Sequence, residues 1–111
     1  DSDDVFSMLI ETESVPSVSL AINYLDTQTH REITALTDRG SVRLDLVQGT
    51  LETPEGIETF TIGRDDTYLA QHAAMTAGDD TVICDISEGL QVMRLIDAAE
   101  AAAASGQWMV A

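Results

Sequence analysis

Strand patterns fill this chain up to Gly63 and helix patterns fill it after Arg64, and that segregation narrows the fold more than any other feature. Strands that alternate with helices build parallel α/β sheets, whereas strands grouped ahead of helices build α+β domains. The strand signal is a period of two. Val5 to Ile10 is a strand-like run, and Val18, Leu20, Ile22 and Tyr24 alternate with Ser17, Ser19, Ala21 and Asn23. Arg31 to Thr37 predicts a further strand, closed by the turn Asp38-Arg39-Gly40, where glycine takes a positive φ without steric cost. Val42, Leu44 and Leu46 then alternate against Arg43 and Asp45. Gly49, Pro54 and Gly56 punctuate a looser stretch before Glu58, Phe60 and Ile62 resume the alternation. Connections this short favour antiparallel neighbours, so the expectation is an antiparallel meander.

Two helices are predicted after it. The first starts at Asp65 or Asp66 as N-cap, carries Tyr68, Leu69, His72, Met75 and Thr76 along one side, and stops at Gly78. The second starts at Asp85, with Glu88 three residues on as a capping box, and places Val92, Ile96, Ala99 and Ala103 on one stripe. Gly106 ends it, and Gln107 to Val110 has the pattern of a last short strand. The resulting expectation is an antiparallel, open-faced sheet with both helices packed on one face, residues 1–111 forming one domain. Apolar groups at Phe6, Met8 and Ile10 against Val5 and Leu9, and at Leu36 and Val47 against Ile33 and Leu46, place apolar surface on both sides of that sheet. A face left open by the helices is then expected to pair with its copy in a two-fold homo-oligomer.

Charge constrains the setting. Twenty acidic residues stand against five basic ones, all of them Arg and none Lys, for a net charge of -15. A chain with this much self-repulsion suits concentrated salt, where the screening length falls to about 3 Å at molar ionic strength. A halophilic source is the expectation. The same balance excludes nucleic acid and anionic membrane as partners, because phosphate binding needs clustered cations. No apolar run is long enough to span a bilayer. Cys84 lies in the apolar run Thr81-Val82-Ile83-Cys84 and is expected to be a buried free thiol, with the chain in a reducing cytoplasm. The opening on Asp1 without a Met carries a further expectation, that the chain is the later part of a longer polypeptide.

Several pieces in fixed order carry a resemblance: Ser19-Leu20 to Tyr24-Leu25, Arg31-Glu32-Ile33, Gly40-Ser41-Val42, Arg64-Asp65-Asp66-Thr67-Tyr68-Leu69, Glu88-Gly89-Leu90-Gln91-Val92-Met93, and Ala98-Ala99 to Ser105-Gly106. Together they resemble the C-terminal domain of the Gfo/Idh/MocA oxidoreductases, the family that includes glucose-fructose oxidoreductase and inositol dehydrogenase. The resemblance implies an NAD(P)-dependent sugar or polyol oxidoreductase as parent, with a separate N-terminal nucleotide-binding domain. That domain would carry the glycine-rich loop and the Glu-Lys-Pro motif, neither of which occurs in this chain. The chain alone is therefore expected to bind no nicotinamide cofactor and to be catalytically inactive. Its expected role is to wall the substrate cleft and to form the oligomer. The alternative from another class is a stand-alone acidic protein-interaction module that binds through its sheet.

Few residues are candidates for chemistry. Tyr68 matches the family's aromatic at the start of the helix after the sheet and is a candidate for the substrate cleft, as is His72 one turn later; packing on the helix face is the competing reading for both. His30 lies in the polar turn from Asp26 and is expected to be solvated. Two distant His and one Cys lack the spacing of a metal site. The runs Asp1-Ser2-Asp3-Asp4 and Asp79-Asp80 read as solvated surface, since their carboxylates lack the regular spacing of a divalent-ion loop.

Overall fold

The computed structural model of the chain describes residues 4–111, so Asp1 to Asp3 of the acidic opening run lie outside the described residues; Asp4 is exposed. The fold is α+β, with all strands ahead of both helices: β1 Val5–Ile10, β2 Val18–Asn23, β3 Glu32–Thr37, β4 Gly40–Asp45, β5 Thr50–Thr53, β6 Gly56–Thr59, α1 Asp66–Ala77 and α2 Ile86–Ser105. The chain divides into two compact units, one ending at Arg64 and one running Asp65–Ala111.

In the strand unit the expected meander is split into two antiparallel sheets, β1-β2 and β3-β4-β5-β6. The long polar connection from Tyr24 to Arg31 separates them, and it is held by its own turn bonds, Asn23 to the amide of Leu25 and Asp26 to the amide of Gln28. Directly paired residues in an antiparallel ladder share a face. In β1-β2 the pairs Phe6–Ile22, Met8–Leu20 and Ile10–Val18 therefore make one wholly apolar face, while Val5–Asn23, Ser7–Ala21 and Leu9–Ser19 make a mixed one.

The larger sheet is more sharply divided. Ile33–Leu44–Leu51 and Ala35–Val42 lie on one face. On the other, Glu32 pairs with Asp45 and Asp45 with Thr50, while Thr34 pairs with Arg43 and Arg43 with Glu52. Of the apolar groups expected on both sides of this sheet, Leu36 does lie on the side opposite Ile33, paired with Ser41, whereas Leu46 and Val47 belong to no strand.

Turn chemistry sets the registers. Two hairpins use the same four-residue device, Thr37-Asp38-Arg39-Gly40 and Thr53-Pro54-Glu55-Gly56. In each, the threonine hydroxyl donates to the glycine carbonyl (2.8 and 3.3 Å) and accepts from the amide two residues on (3.1 and 3.2 Å). Both glycines hold positive φ, 123° and 153°. Asp45 governs the β4–β5 turn: its buried carboxylate accepts from the amides of Val47 and Gln48, both at 2.8 Å. This turn ends β4 at Asp45, earlier than the alternation through Leu46 predicted. It also launches β5 where the sequence reads as a loose stretch, because Thr50-Leu51-Glu52-Thr53 is too short to display a period and takes its order from the ladder with β4.

The helical unit follows the predicted caps. Asp65 stands at the N-cap position of α1 but its side chain makes no capping hydrogen bond, and Gly78 closes the helix at φ 69° with its amide on the carbonyls of Ala74 and Met75. In α2 the capping box is complete: the Asp85 carboxylate accepts from the Glu88 amide at 2.8 Å, and the Glu88 carboxylate accepts from the Asp85 amide at 3.0 Å. Gly106 ends the helix at φ 68°. The expected strand at Gln107 to Val110 does not form. A strand needs a ladder partner, and here residues after Gly106 line shallow depressions with α2 instead, Trp108 with Ala102, and Met109 and Val110 with Arg94, Asp97, Ala98 and Ala101. Among the described residues only Ala74 is a buried apolar residue and only Asp45 a buried polar one. No helix is long and apolar enough to cross a membrane among the described residues.

Candidate functional site

Helix α1 positions both residues that the sequence singles out for the substrate cleft. Tyr68 and His72 are four residues apart and so stand one above the other on the same face. Both are exposed, Tyr68 by 64%. The carbonyl of His72 accepts from the Thr76 hydroxyl at 2.8 Å, one turn further along, which ties that polar side chain to the helix backbone. Arg64, the last residue of the strand unit, precedes the Asp65 cap. The arrangement offers a phenol and an imidazole in one exposed row, able to exchange hydrogen bonds with a hydroxylated ligand.

The other candidates resolve differently. His30 is exposed, with its Nε2 3.8 Å from an Asp26 carboxylate oxygen across one polar turn. Cys84 is exposed, contrary to the expected buried thiol. Residues 79–85 form an irregular connection of turns and bends that leaves the side chain in solvent, and the thiol donates to the carbonyl of Asp85 at 3.3 Å. Asp79 is part of that turn: its carboxylate accepts from the Thr81 hydroxyl at 2.6 Å and the Thr81 amide at 3.1 Å, and these bonds hold its pKa below the ordinary carboxylate value. Among the described residues no three His, Cys, Asp or Glu side chains come together as a possible metal site.

One constellation escaped the sequence reading. The Arg43 guanidinium, on the polar face of the larger sheet, reaches across both neighbouring strands: two bonds to the Glu32 carboxylate at 2.9 and 3.3 Å and one to Glu52 at 3.5 Å. The hydrogen bond and charge of Glu32, then the charge of Glu52, push the Arg43 pKa above its ordinary value. Glu52 stands directly opposite Arg43 and Glu32 two residues from its other direct partner, Thr34, a placement that only the register of β5 with β4 and of β3 with β4 provides. The cation is thus spent on its own sheet.

The described residues do not fit the nicotinamide cofactor that the resemblance implies for the parent. A pyrophosphate sits on a glycine-rich turn from strand to helix, against open first-turn amides. Here the N-terminus of α2 is filled by the Asp85–Glu88 box, α1 opens on Asp65 and Asp66, and Gly63 is the lone glycine between β6 and α1. Both helix N-termini present carboxylates where a phosphate would need donors.

Grouped antiparallel strands followed by two capped helices define an α+β domain. The family comparison agrees: residues 15–110 match the model for the oxidoreductase family, C-terminal alpha/beta domain (GFO_IDH_MocA_C), and the chain belongs to that family. No curated protein and no solved structure matches the chain.

Proposed function

We propose that this chain serves as the substrate-cleft and assembly part of an NAD(P)-dependent sugar or polyol oxidoreductase and has no catalysis of its own. The family match over residues 15–110 carries the reading. In it, an N-terminal nucleotide-binding domain supplies the cofactor, whether NAD or NADP, and the proton-transfer lysine; this chain has no Lys at all. Tyr68 and His72 contribute hydrogen bonds to the substrate's hydroxyls from their row on α1. An apolar sheet face meets its copy in a homodimer, since an exposed apolar side chain such as Ile33 gains about 1.5–3 kcal/mol when taken fully out of water. The acidic, Lys-free surface suits the salt-rich cytoplasm of a halophile.

Calorimetric titration with NAD and NADP tests the division of labour. The expected result is no saturable heat from this chain, and micromolar binding would overturn the reading. The reading frame upstream supplies the second arm: a glycine-rich strand-turn-helix and a Glu-Lys-Pro motif are expected there. An unrelated upstream sequence would instead support a stand-alone interaction module.

A further inference from the structure

No further inference is drawn: the strongest candidate, the wholly apolar face of the two-stranded β1-β2 sheet formed by Phe6, Met8, Ile10, Val18, Leu20 and Ile22, carries nothing because nothing in the structure shows what covers it.

Discussion

The strand unit and the helical unit reach order by different means. Each strand pairs with its sequence neighbour, but through a whole ladder rather than one turn, so β3, β4 and β5 depend on one another, on the Asp45 turn and on the Arg43 bridge. The helices depend on neighbours three or four residues away, through caps at Asp85, Gly78 and Gly106. One property is shared. Each unit has a single buried residue among those described, and large apolar side chains such as Ile33, Leu36, Met75 and Val92 stay exposed. Local hydrogen bonding therefore specifies both units, while apolar burial has yet to be completed in either. A two-stranded sheet like β1-β2 is marginal in water without cover on its apolar face.

The largest expected effect concerns the shared property. The strand unit holds twelve acidic and four basic residues and the helical unit eight and one, so both are strongly negative. Thermal melts from dilute buffer to molar KCl should show a midpoint that climbs, by screening of like charges. Light scattering on the same samples should show dimer mass at high salt. A flat or falling midpoint would mark an ordinary acidic protein, and a monomer at every salt concentration would remove the proposed sheet-face dimer.

Glycine substitutions separate the two units next. Gly49 has φ 67°, and an added Cβ there would run into the carbonyl oxygen of Phe60, whose amide already donates to Gly49 at 2.8 Å. Gly106 has nearly the same φ, 68°, but nothing lies near its would-be Cβ. Gly106→Ala should cost only the ~1–2 kcal/mol of left-handed backbone. Gly49→Ala should cost clearly more, because backbone must move as well. Equal losses in urea titrations would contradict the idea that the strand unit is the more interlocked.

Asp85→Ala comes third. It removes the acceptor of the capping box, and N-cap losses of this kind run to ~1 kcal/mol. Hydrogen exchange should quicken at the first turn of α2 and leave the β3–β6 amides unchanged. Faster exchange in both units would show that they fold as one cooperative body.

The smallest effect is a titration. The Thr81 hydroxyl and then its amide lower the Asp79 pKa, so this turn contributes stability above the ordinary carboxylate range and loses it as pH falls through the lowered folded value. Thr81→Val should move the Asp79 pKa back up, part of the way because the amide bond remains, as followed by carboxyl NMR. An unchanged titration would mean that the hydroxyl bond does not persist in solution.

Much of the local structure was legible in advance. The Asp85 cap, Gly78, Gly106 and the Gly40 turn are written in residues whose preference acts within a few positions, so no distant partner is needed to read them. The α+β order followed from the two periods, 2 and 3.6. Tyr68 and His72 were placed on one helix face by their spacing alone. What escaped was non-local. Strand β5 takes its order from its ladders with β4 and β6, and the Arg43 bridge from the register of β3, β4 and β5; the split between β2 and β3 is a choice of ladder partner; Trp108 to Val110 found no ladder; and Cys84 stays exposed in an apolar run. The sequence by itself determined where elements begin, end and turn, because caps and turns are satisfied by adjacent backbone groups. Tertiary structure alone decided which edges pair and which apolar residues stay in water, because those outcomes depend on register between strands and on what covers a face, neither of which a residue's own neighbours specify.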